Sequence, residues 1–126
     1  VIELFNDPTT QIGTLAKQID DITILKKINS PKAIFDSSGF ALNFCRKIPN
    51  IIPRKTYYKH VGIYAYKKEI LEEICNLPQS KNEIKESLEQ LRWLDNKYKI
   101  KVGKTFFQTF SVDVPNDIEK IKQQMI

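Results

Sequence analysis

At 126 residues, 41% of them hydrophobic and 28% charged, the chain has the content of one ordinary globular domain with a real core, which excludes a disordered polypeptide. Its net charge of +5 is spread along the sequence, with short clusters at Lys26-Lys27 and Lys67-Lys68 and no arginine-rich block. That pattern fits a solvated basic surface or attraction for small anions, and it singles out no nucleic-acid partner. Cys45 and Cys75 are isolated, no stretch nears the roughly 20 apolar residues of a membrane span, and no signal peptide opens the chain. The expectation is a cytoplasmic protein with reduced thiols and no membrane partner.

Residues 1–5 (VIELF) read as the end of a helix already under way, stopped by Asn6-Asp7-Pro8, so something is expected to be missing before them. Residues 14–16 can form a short strand, and residues 20–27 a charged, helix-compatible connection. Asp20 and Asp21 lack a third ligand nearby, which favours a solvated turn over a metal pair. Residues 32–36 and 40–46 flank Ser37-Ser38-Gly39 and predict a β-hairpin. Phe40, Leu42 and Phe44 alternate with Ala41, Asn43 and Cys45, the period of a strand with one buried face, and Gly39 supplies the positive φ of a tight loop. Pro49 and Pro53 then bracket an irregular segment ending in Arg54-Lys55, suited to reaching across a partner or a cleft.

Residues 58–66 (YKHVGIYAY) predict a second strand, with Val61, Ile63 and Ala65 on one face and His60, Gly62, Tyr64 and Tyr66 on the other. His60 and Tyr64 would lie roughly 13 Å apart at about 3.3 Å per residue, with Gly62 opening space between them. A ligand lying along the strand fits this pattern, and so does a histidine held in a structural hydrogen bond. Residues 68–77 have helical spacing, and Pro78 ends them. Ser80 and Glu83 form a capping box that starts a helix running through residues 86–93 (ESLEQLRW). On it, Ile84, Leu88, Leu91 and Leu94 share one side, while Glu86, Glu89, Gln90 and Trp93 fall largely on the other. A tryptophan there is either a lone exposed aromatic or is covered by another element, a subunit or a ligand cleft. Residues 98–102 predict a strand, and a final helix runs from near Pro115 to Met125 with Ile118 and Ile121 inward. Asp113, at the junction before it, caps that helix or holds a divalent cation. No repeat, low-complexity tract or glycine-rich phosphate loop occurs. The order of elements predicts an α/β layered structure with an attached hairpin and a polar pocket formed by residues 60–64, 89–90 and 113.

The succession KHVGIYAY, SLEQLR and VDVPND, preceded by the hairpin IFDSSGFALNFCR, resembles the C-terminal half of the CMP-Kdo synthetases, the 3-deoxy-manno-octulosonate (Kdo) cytidylyltransferases. The resemblance covers nearly the whole chain. It implies a nucleotide-diphospho-sugar transferase-like α/β fold, a cytoplasmic homodimer, and transfer of CMP from CTP to Kdo with release of pyrophosphate and help from Mg2+. The product would feed lipopolysaccharide synthesis. Residue by residue, His60 and Tyr64 match sugar-site positions of the family's H-x-G-x-Y strand, and Glu89 and Gln90 match the sugar-contacting pair of L-E-Q-L-R. Asp113 matches the magnesium-binding Asp of V-D-T-P-E-D, and Arg46 matches the F-S-R arginine as a further substrate-binding candidate.

Three positions depart from the family pattern: Val114 replaces a Thr, Asn116 a Glu, and Ser111 a Gly. The nucleotide-binding N-terminal half, with its basic glycine-containing loop and a second magnesium-binding Asp, has no counterpart in these 126 residues. The expectation is therefore a single partial domain over residues 1–126, catalytically silent alone. A stand-alone sugar-acid-binding or dimerisation module and a related CMP-sialic acid synthetase are the alternatives.

Overall fold

The computed structural model describes residues 1–48, 51–52, 55–106 and 115–124, apart from the side chains of residues 117, 120 and 124. Its centre is β1 (Ile12–Gln18), where Ile12, Thr14 and Ala16 are fully buried. So continuous a buried run belongs to a strand flanked and covered on both sides. β1 pairs antiparallel with β4 (Tyr58–Tyr66) and parallel with β5 (Ile100–Thr105). β2 (Lys32–Phe35) and β3 (Ala41–Cys45) extend the sheet beyond β4, giving the order β3-β2-β4-β1-β5.

The strands that the sequence predicts are present, with two shifts. The strand expected at 14–16 runs over seven residues, and the one expected at 98–102 begins at Ile100, because Lys97 adopts φ 65° and turns the chain beforehand. The hairpin turns at Gly39, whose φ of 89° is where an L side chain would be strained. Its second strand does not bury one alternating face. Phe44 is fully buried, Leu42 is 63% exposed, and Phe40 packs under the ammonium groups of Lys99 and Lys101 at 5.4 and 5.0 Å from its ring centroid. A register irregularity between Ile34 and Phe35 breaks the alternation, since a bulge re-aims every side chain beyond it.

Around the sheet lie a 3-10 turn (Ile2–Asn6) and helices α1 (Ile22–Leu25), α2 (Lys68–Ile74), α3 (Lys81–Glu86), α4 (Gln90–Asp95) and α5 (Pro115–Gln124). The opening VIELF is thus a 3-10 turn. Asp21 caps α1 by accepting from the Thr23 amide, as a solvated turn would have it. The capping box of Ser80 and Glu83 is present in full. The long helix expected from it is not: Ser87 takes the left-handed conformation at φ 54° and separates α3 from α4. The predicted apolar stripe fails at that point, with Ile84 62% exposed while Leu88 and Leu91 are buried. Glu83 ties the two short helices together, receiving Arg92 Nε at 2.8 Å and Nη2 at 2.5 Å. That paired guanidinium holds the Glu83 carboxyl below its ordinary pKa.

Leu88, Leu91 and Trp93 of this region join Ile12, Ala16, Phe44, Ile70, Ile74, Ile100 and Val102 in the main core. Trp93, only 4% exposed, is therefore covered by the chain's own strands. A truncation such as Phe44→Ala would cost about 3–5 kcal/mol at a site packed this way. Among the described residues no helix is long and apolar enough to cross a membrane.

Candidate functional site

The polar residues singled out on β4 and α4 come together where α4 lies against the sheet. His60 and Gln90 are buried, with Gln90 Nε2 3.4 Å from His60 Nδ1. On its other side His60 Nε2 is 2.9 Å from the hydroxyl of Thr14, a fully buried residue of β1. The His60 ring also meets Phe44 edge-on at 4.9 Å between centroids. So dry a setting penalises the charged ring, and burial lowers the His60 pKa to about 4. At neutral pH the imidazole carries one proton and one lone pair.

Tyr64 stands 5.5 Å from His60 between ring centroids, against the roughly 13 Å expected from an ideal strand. The cause is a shift in the β1–β4 register: Thr14 pairs with Tyr64, but Leu15 pairs with Val61, so residues 62 and 63 are pushed out of the ladder. Gly62 and Ile63 are accordingly exposed, the latter at 52%, and Ile63 leaves the inward face predicted for it. Nor does Gly62 open room between the two rings, because a Cβ there would meet nothing within 4 Å. The bulge itself draws the rings together.

Tyr64, Tyr66 and Trp93 complete an aromatic wall, with both tyrosines packed against the indole near 90° at 5.1 and 5.6 Å. Burial raises the pKa of both phenols, and the Glu89 carboxylate adds to the effect. The hydroxyls are thus held protonated as donors. Glu89 is exposed at the start of α4 and also borders an open cleft of about 400 Å³ lined by Gln79, Glu83, Ile84, Ser87 and Leu88. His60, Tyr64 and Gln90 therefore form one cluster, which Glu89 joins through the effect of its charge on Tyr64, while the cleft that Glu89 borders is lined by none of the other three.

Arg46 lies elsewhere. Its guanidinium donates to three main-chain carbonyls: Glu86 through Nε at 2.8 Å, Ser87 through Nη2 at 2.9 Å and Ile28 through Nη1 at 3.2 Å. It closes the C-terminal end of α3, where the carbonyls are otherwise orphaned. Beside it Lys32, fully buried, donates Nζ to Lys27 O at 2.6 Å and Arg46 O at 2.5 Å. Desolvation lowers the Lys32 pKa. Asp113 lies outside the described residues. Among the described residues no three His, Cys, Asp or Glu side chains gather closely enough to hold a metal ion between them.

Thr14 and Lys32 escaped the sequence reading. Thr14 leaves a faint trace as the polar residue within the buried run of β1, and Lys32 leaves none, because a lysine opening a strand reads as solvated.

Residues 1–102 match the family described as cytidylyltransferase. The 3-deoxy-manno-octulosonate cytidylyltransferase of Bacteroides thetaiotaomicron is 44% identical over 131 residues, which cover 94% of this chain and 52% of the relative. That of Parabacteroides distasonis is 47% identical over 129 residues, covering 92% and 51%. A solved structure of CMP:2-keto-3-deoxy-manno-octonic acid synthetase complexed with CTP aligns with a TM-score of 0.85 and 32% identity, over 98% of this chain and 52% of its own. The chain spans about half the length of the curated relatives it matches. Its mixed α/β sheet has the nucleotide-diphospho-sugar transferase-like fold that the motifs imply.

Proposed function

Since the chain belongs to the cytidylyltransferase family, we propose that it is the C-terminal, sugar-binding and dimerisation half of a 3-deoxy-manno-octulosonate cytidylyltransferase. The reaction is attack of the anomeric hydroxyl of Kdo on the α-phosphorus of CTP. A new phosphorus–oxygen bond forms, the hydroxyl proton is released, and pyrophosphate leaves with the electrons of the broken bond. The product, CMP-Kdo, serves lipopolysaccharide synthesis in the cytoplasm.

The observation that carries this reading is the cluster of His60, Tyr64, Gln90 and Glu89. A sugar acid is rich in hydroxyls and carries one carboxylate, and it is recognised by a few convergent donors and acceptors set in an apolar wall. The protonated Tyr64 phenol, the Gln90 amide and the Glu89 carboxylate supply those groups, His60 orients the amide, and Trp93 and Tyr66 supply the wall. Arg46, bonded to main-chain carbonyls at the end of α3, is assigned to stability and not to sugar contact. Exposed Leu42 and Ile52, at 63% and 54%, support a homodimer contact at the hairpin and the segment after it. The proposal retains Asp113 as one magnesium ligand and takes the cation's remaining oxygens from outside the described residues.

The test joins this chain to the first half of a relative, measuring pyrophosphate release with CTP and either Kdo or N-acetylneuraminate. The joined enzyme should turn over Kdo, and the chain alone should be silent. Preference for N-acetylneuraminate, or a folded but inactive joined enzyme, would overturn the proposal. In the joined enzyme Asp113→Asn retains a capping oxygen while losing the charge, so folding should survive and turnover collapse. Normal turnover at limiting magnesium would contradict the metal role.

A further inference from the structure

We propose that Thr14 is a positioning residue of this site, whose hydroxyl donates to the bulged carbonyls of β4 and accepts from His60 Nε2–H, fixing the imidazole tautomer and with it the facing of Gln90. Its functional meaning rests on the sugar-acid reading above; its geometry does not. Thr14 Oγ1 lies 2.9 Å from Ile63 O, 3.2 Å from Val61 O and 2.9 Å from His60 Nε2. A hydroxyl has one proton to give. Carbonyl oxygens only accept, and two oxygens at hydrogen-bond distance with no proton between them repel. The Thr14 proton therefore points to the carbonyls, and a lone pair faces His60. Nε2 then carries the ring proton, and the neutral ring presents a lone pair at Nδ1.

That lone pair accepts from Gln90 Nε2. The amide is thereby turned with one N–H toward His60, leaving Oε1 and the second N–H for other partners. The opposite tautomer would have Thr14 donating to the ring, strip both carbonyls of their proton and turn Gln90 end for end. Thr14 also stands where the β1–β4 register shifts, so one hydroxyl holds the bulge that brings Tyr64 to His60 and selects the tautomer. A sugar hydroxyl donating to the site then meets the Gln90 carbonyl oxygen.

His60 is the chain's single histidine, so its ring nitrogens can be read unambiguously in a two-bond proton–nitrogen correlation spectrum of 15N-labelled chain at neutral pH. The expected wild-type pattern is a protonated Nε2 and a lone-pair Nδ1. Thr14→Ser should keep it, and Thr14→Val should give averaged or reversed shifts. In the joined enzyme Thr14→Val should raise the KM for Kdo several-fold and leave that for CTP unchanged, with Thr14→Ser near wild type. A wild-type Nδ1–H ring, or a folded Thr14→Val chain that keeps the Nε2–H pattern, overturns the proposal. Should Thr14→Val fail to fold, the wild-type and Thr14→Ser spectra decide, since both must show Nε2–H. The expected tautomers together with a KM change confined to CTP would overturn Thr14's positioning role and the sugar-acid reading, and leave only the tautomer standing.

Discussion

Lys32 and Arg46, at one end of the hairpin, direct their charged donors onto main-chain carbonyls of residues 27, 28, 46, 86 and 87. His60, on β4, bonds instead to the side chains of Gln90 on α4 and Thr14 on β1, and Tyr64 beside it, with Tyr66 stacked on Tyr64, keeps a protonated hydroxyl. Both groups are polar and close to the core. The first has its hydrogen-bonding capacity fixed by the fold, because a carbonyl of a helix end or a turn must be satisfied in every state of the protein. The second retains an amide oxygen, an amide proton and two phenols that a ligand can meet. Burial of a polar residue alone therefore does not mark a site; the kind of partner it has is what separates the two.

The largest effect expected from breaking this contrast is on stability, at Arg46. Arg46→Ala removes three charge-assisted hydrogen bonds and leaves the α3 carbonyls without partners, a loss of about 3 kcal/mol measurable by chemical denaturation. Arg46→Lys should recover little of it, since an ammonium cannot reach three divergent carbonyls with a planar fork. A variant as stable as wild type would remove Arg46 from the structural side of the comparison.

The next effect is on the pH dependence of stability, and it belongs to His60. Its pKa is about 4 in the fold against 6.5 in the unfolded chain, so between these values the unfolded state binds the extra proton. Stability is fully present above pH 6.5 and falls as pH drops toward 4. The loss should reach about 2 kcal/mol by pH 5, at 1.36 kcal/mol per unit. Denaturation midpoints across this window test it, and His60→Asn should flatten the slope. An unchanged slope in that variant would place the buried proton-binding group elsewhere.

The contrast was half legible in the sequence. The hairpin turn, the strand of residues 58–66 and the capping box at Ser80 could be read because each depends on neighbours a few residues away. The proximity of His60 to Tyr64 could not, because the bulge that closes it is fixed by pairing with β1, some 46 residues earlier than His60. The break at Ser87 was hidden for the same reason: serine is compatible with a helix, and the carbonyls it frees are taken up by Arg46 from another strand. Motif resemblance carries Arg46 over as a substrate contact, while its three bonds to main-chain carbonyls join residues 18 to 41 positions apart and left no local trace in the sequence.

The smallest effect on stability and the most specific effect on function fall on Tyr64. Its phenol is expected to donate to the sugar acid, so Tyr64→Phe should leave the fold within about 1 kcal/mol of wild type, as one lost hydroxyl contact allows. The decisive measurement is the KM for Kdo and for CTP in the joined enzyme carrying Tyr64→Phe, beside Arg46→Lys as the structural comparison. A several-fold rise in the KM for Kdo alone with Tyr64→Phe, and lowered stability with both KM values unchanged for Arg46→Lys, is the result predicted here. Equal shifts for both substrates with Tyr64→Phe, or a Kdo-specific shift with Arg46→Lys at wild-type stability, would contradict it.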